Sequence, residues 1–291
     1  MKIIANPRAG HGKGARNIEA LRDAIRRRGR DDSVLLTERP RHATGIAREL
    51  AGDEPRIAVL GGDGTIGEVA DALVGSGTQL GILSLGTGND VARSLGLPFN
   101  DLDASLDVAL DGHVRKIDVG RERDRHFVSV LGVGFPAVVA EQANHTRLKG
   151  SAAFFVAVYR AMSRLEPVSM TIRLDDRTLE GEYVAVMVQN TPFTGGGLRM
   201  APGAEIDDGL LDVVVVNEIG KLDLMVNFPK IYRGRHLEHA SFEVHRSRSV
   251  RIDAASPLPK MFDGDLEGVS PVEATILPRA LEVVVPTRGR G

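Results

Sequence analysis

Three glycine-rich stretches in the first third of the chain carry residue types suited to holding an anion. In the clearest, Gly61-Gly62-Asp63-Gly64-Thr65-Ile66-Gly67, the glycines follow an apolar run, Arg56–Leu60. Ile66, Val69, Ala70, Leu73 and Val74 then recur at helical spacing. Glycine lets a backbone turn tightly and approach a bulky group. The N–H groups that open the next helix have no partner within it and bind phosphate well. Asp63 would repel phosphate unless a divalent cation lay between them, directly or through water. Thr65 is suited to cap the helix or to touch a phosphate oxygen. The bland alternative is a tight strand–helix turn with Thr65 as its cap.

Gly86-Thr87-Gly88-Asn89-Asp90 repeats the layout after another strand-like run, Gln79–Leu85. Thr87 is placed for a phosphate or ribose contact. Asn89 and Asp90 divide evenly between function and helix capping, since both types are favoured caps. The earliest stretch is Asn6-Pro7-Arg8-Ala9-Gly10-His11-Gly12-Lys13-Gly14. It is basic and glycine-rich, but Gly14 after Lys13 breaks the G-x-x-x-x-G-K-[ST] spacing.

The elements around these stretches alternate. Apolar runs at Lys2–Ala5, Ser33–Thr37, Arg56–Leu60 and Gln79–Leu85 read as strands. Helical periodicity covers Arg16–Arg28, Ala43–Leu50, the stretch after Thr65, and Asn89–Leu95. That order predicts a parallel sheet flanked by helices, with ligands at the carboxyl ends of its strands. After Asp118 strand-like runs dominate: His126–Val130, Ser169–Leu174, Glu182–Gln189, Leu210–Val216, Ser241–His245 and Ser249–Asp253. One helix, Ala152–Leu165, interrupts them. The expected division is residues 1–117 as an α/β domain and 118–279 as an antiparallel β domain. A last strand within 280–287 is open to either.

Composition narrows the field. The 291 residues carry a net charge of −2 with no basic stripe, which argues against nucleic acid as a partner. Arg26-Arg27-Arg28 reads as a solvated helix end. There are no cysteines, which excludes disulfides, zinc–thiolate sites and thiol nucleophiles and makes the cytoplasm the default. No run approaches the roughly 20 apolar residues of a membrane span. His236 and His239 lack an HExxH context, so surface or capping roles are expected. The stripe Phe154, Phe155, Val158, Tyr159 reads first as a helix packed on its own core, and second as a lipid entrance.

Taken together, Asn6-Pro7-x-x-Gly10, GGDGT at 61–65 and Leu85-Gly86-Thr87-Gly88-Asn89-Asp90-x-Ala92-Arg93 resemble the diacylglycerol kinase catalytic-domain family, which includes sphingosine and ceramide kinases. GGDGT alone is shared with NAD kinases; the ordered set is more specific. The resemblance continues through Asn190, Gly195-Gly196-Gly197, Ala201-Pro202-x-Ala204, Asp208-Gly209-x-Leu211-Asp212 and Asp263-Gly264-Asp265.

The resemblance implies a phosphofructokinase-like α/β nucleotide domain followed by an antiparallel β-sandwich domain, with the active site in the cleft between them. It implies an ATP- and Mg²⁺-dependent transferase of phospholipid metabolism. The lipid hydroxyl of its acceptor, diacylglycerol first, would be reached by peripheral association at the inner membrane face. ATP would be held by Asn6, Pro7, Arg8, Ala9 and Gly10, by Thr37, by Gly61 through Gly67, and by Thr87. A structural Mg²⁺ would take the Asp208 side chain and backbone oxygens at Glu205 and Leu210. Read alone, Asp207-Asp208-Gly209 is an ordinary turn. Asp265 would accept the proton of the lipid hydroxyl, with Asp263 in support. The family has Glu at that position, and Asp is shorter by one C–C bond, about 1.5 Å. Gly67 stands where the family commonly has Asn. An open sheet edge would permit a homodimer. The rivals are a kinase of a soluble substrate such as NAD and a non-catalytic nucleotide or lipid sensor.

Overall fold

A computed structural model describes residues 1–9, 13–145 and 151–287, with side chains left undescribed at 144–145 and 151–154. Gly10, His11 and Gly12 of the first glycine-rich stretch lie outside the described residues, as does the Phe154 side chain. The chain divides into two compact units, Met1–Val119 with Arg279–Gly291, and Gly120–Pro278.

The first unit runs β1 (Lys2–Ala5), α1 (Gly14–Arg27), β2 (Ser33–Leu36), α2 (His42–Leu50), β3 (Arg56–Gly61), α3 (Asp63–Leu73), β4 (Gln79–Ser84), α4 (Asp90–Ser94) and α5 (Leu102–Asp111). Strand β5 (His113–Glu122) then leaves it. The strands order β2-β1-β3-β4 with parallel pairing. Each is too short and too apolar to survive alone; helices must cover both faces. On one face Ile18, Leu21, Ala24 and Ile25 of α1 and Leu106 and Ala109 of α5 close over Ile3, Ala5, Ala58, Leu60 and Leu83. Arg27 and Arg28 are more than a solvated helix end. They reach α5, with Arg27 Nη2 3.0 Å from Asp103 and Arg28 Nη2 2.7 Å from Asp107.

The second unit contains β6 (Arg125–Phe127), β7 (Val130–Gly134), α6 (Phe135–His145), α7 (Ser151–Ala161), β8 (Val168–Leu174), β9 (Thr178–Gln189), β10 (Leu211–Asn217), α8 (Lys221–Asn227), β11 (Phe242–Ser247), β12 (Ser249–Ala254), β13 (Pro259–Phe262), β14 (Asp265–Val269) and β15 (Val272–Val285). Its strands order β14-β13-β7-β9-β8-β12-β15, and β9 also pairs with β10, which pairs with β11. These pairings are antiparallel. The carboxyl end of β15 belongs to the first unit, where Val283 lies parallel to Leu80 of β4.

Side chains alternate across a strand, and β10 uses both sides. Leu211, Val213 and Val215 enter one core with Phe127, Ile172, Val250 and Phe262. Val214 and Val216 enter another with Val158, Leu224 and Phe228. Burial on both faces explains why Val213–Val216 is unbroken by polar residues. The α/β unit followed by an antiparallel β unit is the expected class.

The structure departs from the sequence reading at several elements; α5, β5, α8, β13 and β14 are absent from that reading. The expected strand His126–Val130 is two short strands, and the stretch after it is a strand followed by the unexpected helix α6. Gly132, Gly134 and Pro136 interrupt the helical pattern of this stretch. Gly134 takes φ +78 at the junction, and Pro136 sits in the first turn of α6, where a missing N–H costs nothing. The expected helix Ala152–Leu165 is α7 followed by a 3₁₀ turn at Met162–Arg164.

Candidate active site

Asn6, Thr37, the Gly61 turn and the Gly86 turn all lie at carboxyl ends of parallel strands. The Thr37 N–H donates to Ala5 O at 3.0 Å, and the Asn6 N–H to Leu60 O at 3.1 Å. Asn6 Oδ1 accepts from the Arg8 N–H at 2.9 Å, closing a turn through Pro7 that the Ala9 N–H completes by donating to Asn6 O. Gly14 opens α1 pressed against this turn: a Cβ there would lie 2.1 Å from Pro7 O.

Helix α3 begins at Asp63, so Gly62 holds the cap position and Thr65 lies inside the first turn. Thr65 is therefore not the cap. Its Oγ1 instead accepts from Asn6 Nδ2 at 3.0 Å, joining the first and second stretches. Gly61 makes room for it, because a Cβ there would meet Thr65 Cβ at 2.7 Å. Gly86 packs on the same turn: its Cβ would lie 2.7 Å from Gly62 Cα. Three stretches far apart in sequence thus form one cradle.

Asp63 and Asn89 each support the Gly86 turn or the helix that follows it. Asp63 is half-buried and accepts the Val91 N–H at 3.3 Å, so it satisfies the start of α4. Burial pushes its carboxyl above the ordinary value, and the amides of Val91, Asn89 and Asp90 oppose that rise. Asn89 precedes α4 at φ +55 without capping it. Its Oδ1 accepts from Ser84 Oγ at 2.7 Å and from the Gly86 N–H at 2.8 Å, while its Nδ2 donates to Gly86 O at 3.0 Å. The side chain braces the turn and leaves Thr87 exposed. Glu68 plays a parallel part for α2, accepting the Arg41 and Ala43 N–H groups at 3.0 and 3.1 Å. Ile66 is buried against the core of the first unit and Gly67 is half-buried.

In the second unit, Asp263 and Gly264 are the two central residues of the β13–β14 hairpin. Both have positive φ, +48 and +98, as a two-residue turn of the Asp-Gly type requires. The Asp263 carboxylate accepts three successive amides: Val128 at 2.9 Å, and Ser129 and Val130 each at 2.8 Å. Asp265 opens β14 with its side chain about half exposed, and Arg125 Nη2 lies 3.9 Å from its Oδ2. The Arg125 Nε is 3.6 Å from Glu267, two residues on and on the same face of the strand. Arg125 itself is buried and lies 6.0 Å from the Phe262 ring centre. Beneath it, Lys260 and Glu122 form a buried ion pair at 2.9 Å. Nothing local in the sequence marks Arg125, Glu122 or Lys260 as partners of this turn.

For the Mg²⁺ that the family resemblance implies, the donor chemistry is suitable and the field is anionic. Asp208 accepts the Leu210 N–H at 3.0 Å and also pairs with Arg246. Asp212 is pushed up to about 6, first by burial and then by the charges of Asp208 and Glu205, against the opposing pull of Arg246. Oxygen donors in a net negative setting suit a hard cation, which would share Asp208 with Arg246. Among the described residues, no three acidic or histidine side chains gather around one point that could hold a metal.

His236 is not on the surface. It is fully buried, with Nε2 3.0 Å from Met200 O and its ring edge-on to Phe242 at 5.1 Å. His239 Nδ1 accepts the Ser241 N–H in a local turn. On α7, Val158 is buried, but Phe155 and Tyr159 are exposed. Among the described residues no helix is long and apolar enough to cross a membrane.

Residues 1–121 match the diacylglycerol kinase catalytic domain, and residues 129–285 match the YegS C-terminal NAD kinase beta sandwich-like domain. The chain is 30% identical to a diacylglycerol kinase of Mycobacterium tuberculosis over 98% of this chain and 95% of that one. It is 27% identical to a diacylglycerol kinase of Bacillus subtilis, over 98% and 96%. A crystal structure of a diacylglycerol kinase from Bacillus anthracis superposes with a TM-score of 0.73 at 25% identity, covering 98% of this chain and 96% of the other. A second Bacillus anthracis structure gives 0.81 at 26%, with the same coverage. Both units and the interlocked glycine turns are accounted for by one likeness that runs the length of the chain: this protein belongs to the diacylglycerol kinase family.

Proposed function

We propose that the protein transfers the γ-phosphate of ATP to the hydroxyl of a lipid, with diacylglycerol as the first acceptor to test. The observation that carries this reading is the fusion of the three glycine turns at the sheet's carboxyl edge through Asn6–Thr65 and Gly62–Gly86. Phosphoryl transfer asks for positioning and charge neutralisation more than for covalent chemistry. A rigid cradle with the amide groups of the α3 N-terminus suits that demand.

In this reading, Asn6, Pro7, Arg8, Ala9, Gly10, Thr37, the Gly61–Gly67 turn and Thr87 hold the nucleotide. Asp265 orients the acceptor hydroxyl and receives its proton late in the transfer. Asp263 supports it by fixing the turn from which it projects. Mg²⁺, when bound, neutralises charge on the phosphates. Asp208 with the backbone oxygens of Glu205 and Leu210 would hold a structural ion.

The soluble-substrate reading draws on the NAD kinase-like character of the second matched domain. One assay separates the two. Protein, Mg²⁺ and ATP labelled at the γ-phosphate are incubated with mixed bacterial lipids or with NAD, and the products are separated. A labelled lipid supports the proposal. Labelled NADP without labelled lipid replaces it with the soluble-substrate kinase. Bound ATP with no transfer to any acceptor replaces it with a sensor.

A further inference from the structure

Helix α8 buries Leu224 and Asn227 toward the core and turns Leu222, Met225 and Val226 the other way. At 100° per residue these three occupy one outward arc of the helix. Their exposures are 75%, 47% and 66%. A surface helix ordinarily keeps its outward face polar. Of the nine large apolar side chains exposed among the described residues, five lie on α7 or α8. The other two of those five, Phe155 and Tyr159, are one turn apart on α7. The Phe155 ring lies 5.8 Å from that of Phe228, which directly follows α8, and 6.1 Å from Tyr232.

The charges around this face have one dominant sign. Between Gly220 and Gly234 the chain carries Lys221, Lys230 and Arg233 against the single acid Asp223, although its overall net charge is −2. All three cations are exposed. Lys230 Nζ is tied to Asn227 Oδ1 at 2.9 Å, which holds its charge at the end of α8. Arg160 adds another exposed cation beside Tyr159.

We propose that the outward face of α8, with Tyr159 and Phe155 beside it, docks on a bilayer that carries anionic headgroups. Seven residues make a helix only about 10 Å long. A face of that size falls far short of the roughly 800 Å² per partner that a stable protein interface buries. It does suit an apolar wedge that enters the headgroup boundary while flanking cations meet lipid phosphates. From the lipid-kinase reading the proposal takes only that the acceptor resides in a bilayer.

Flotation of the full chain with vesicles tests this, without nucleotide and therefore independently of turnover. Vesicles of phosphatidylcholine mixed with phosphatidylglycerol are compared with phosphatidylcholine alone. The wild type is expected to float with the mixed vesicles and to lose binding as salt screens the cations. The double variant Leu222→Asp, Val226→Asp is expected to partition at least about tenfold less. It should melt as the wild type does, since both side chains are already in water. Lys230→Glu with Arg233→Glu should abolish only the preference for anionic vesicles. Wild-type protein that does not float, or a double variant that floats equally well, overturns the proposal. So does a concentration-dependent dimer that the double variant alone dissolves while vesicle binding stays unchanged. Vesicle binding without lipid phosphorylation would leave the docking face standing and remove the lipid-kinase reading. Phosphorylation of vesicle lipid at equal rates by wild type and double variant would do the reverse.

Discussion

Asn6 Nδ2 donates a 3.0 Å hydrogen bond to Thr65 Oγ1, across 59 residues of sequence. It fixes the first glycine-rich stretch to the first turn of α3. Thr65→Val keeps the shape and removes the acceptor. Stability is expected to fall by about 1 kcal/mol. Nucleotide affinity should fall further, by about tenfold, because the turn through Pro7 loses its anchor. Denaturant titration and calorimetric nucleotide binding measure the two separately. Loss of stability with unchanged affinity would confine the bond to the fold.

The two acids of Asp263-Gly264-Asp265 should separate in a stability-against-turnover comparison. Asp263→Asn exchanges a carboxylate that accepts three amides for a group with one acceptor oxygen. It should cost about 2–4 kcal/mol. Asp265→Ala should leave the melting temperature nearly unchanged, since the side chain is half exposed, yet lower turnover by about 100-fold or more. Asp265→Glu should keep most activity. An Asp265→Ala variant with normal turnover would remove that residue from its proposed role.

Lys260 and Glu122 are both buried and paired at 2.9 Å, and Glu122 also lies 3.5 Å from the exposed Arg123. Lys260→Met leaves a buried carboxylate with only the exposed Arg123 beside it and should cost about 3 kcal/mol. Adding Glu122→Leu should restore most of that loss. If the double variant is no more stable than the single one, Glu122 has another compensating partner.

His236 gives a pH dependence whose sign follows from its burial. Desolvation lowers its pKa below the ordinary 6.5, against the favourable contact with Met200 O. The unfolded chain therefore binds the proton more readily than the native one as pH falls through 6.5. Stability from this group is complete above 6.5 and is lost as pH drops toward the native pKa. His236→Gln, which keeps a donor for Met200 O, should flatten the stability profile between pH 7 and 5. A profile as steep as that of the wild type would assign the dependence elsewhere.

How far the sequence could be read depended on range. The α3 pattern of Ile66, Val69, Ala70 and Leu73 repeats within eleven residues, and both periodicity and burial agree. The helix α6 was hidden because Gly132, Gly134 and Pro136 are breakers in most settings and here sit where the chain needs them. Asn89 was legible as important but not in kind, because a turn brace and a helix cap use the same residue type. Asp63 reaches α4 from 28 residues away, and Glu122 meets Lys260 from 138 away. No spacing rule reaches that far. Likeness to known kinases joined the glycine turns and the Asp265 turn as one set, where the residues alone marked the glycine turns for an anion and left the Asp265 turn an ordinary one.

The contact between Gly62 and Gly86 sets a rule for anyone redesigning this molecule. With a Cβ on Gly86 only 2.7 Å from Gly62 Cα, the two turns press together too closely for any side chain on Gly86. Neither loop can be lengthened, swapped or diversified on its own. A graft from a related kinase must carry both segments and Asn89 with them, and a library that randomises Gly86 would yield mostly broken cradles, whereas a Cβ on Gly62 would stand 3.4 Å from Gly86 Cα, an ordinary contact. The pair is one inheritable unit written in two places.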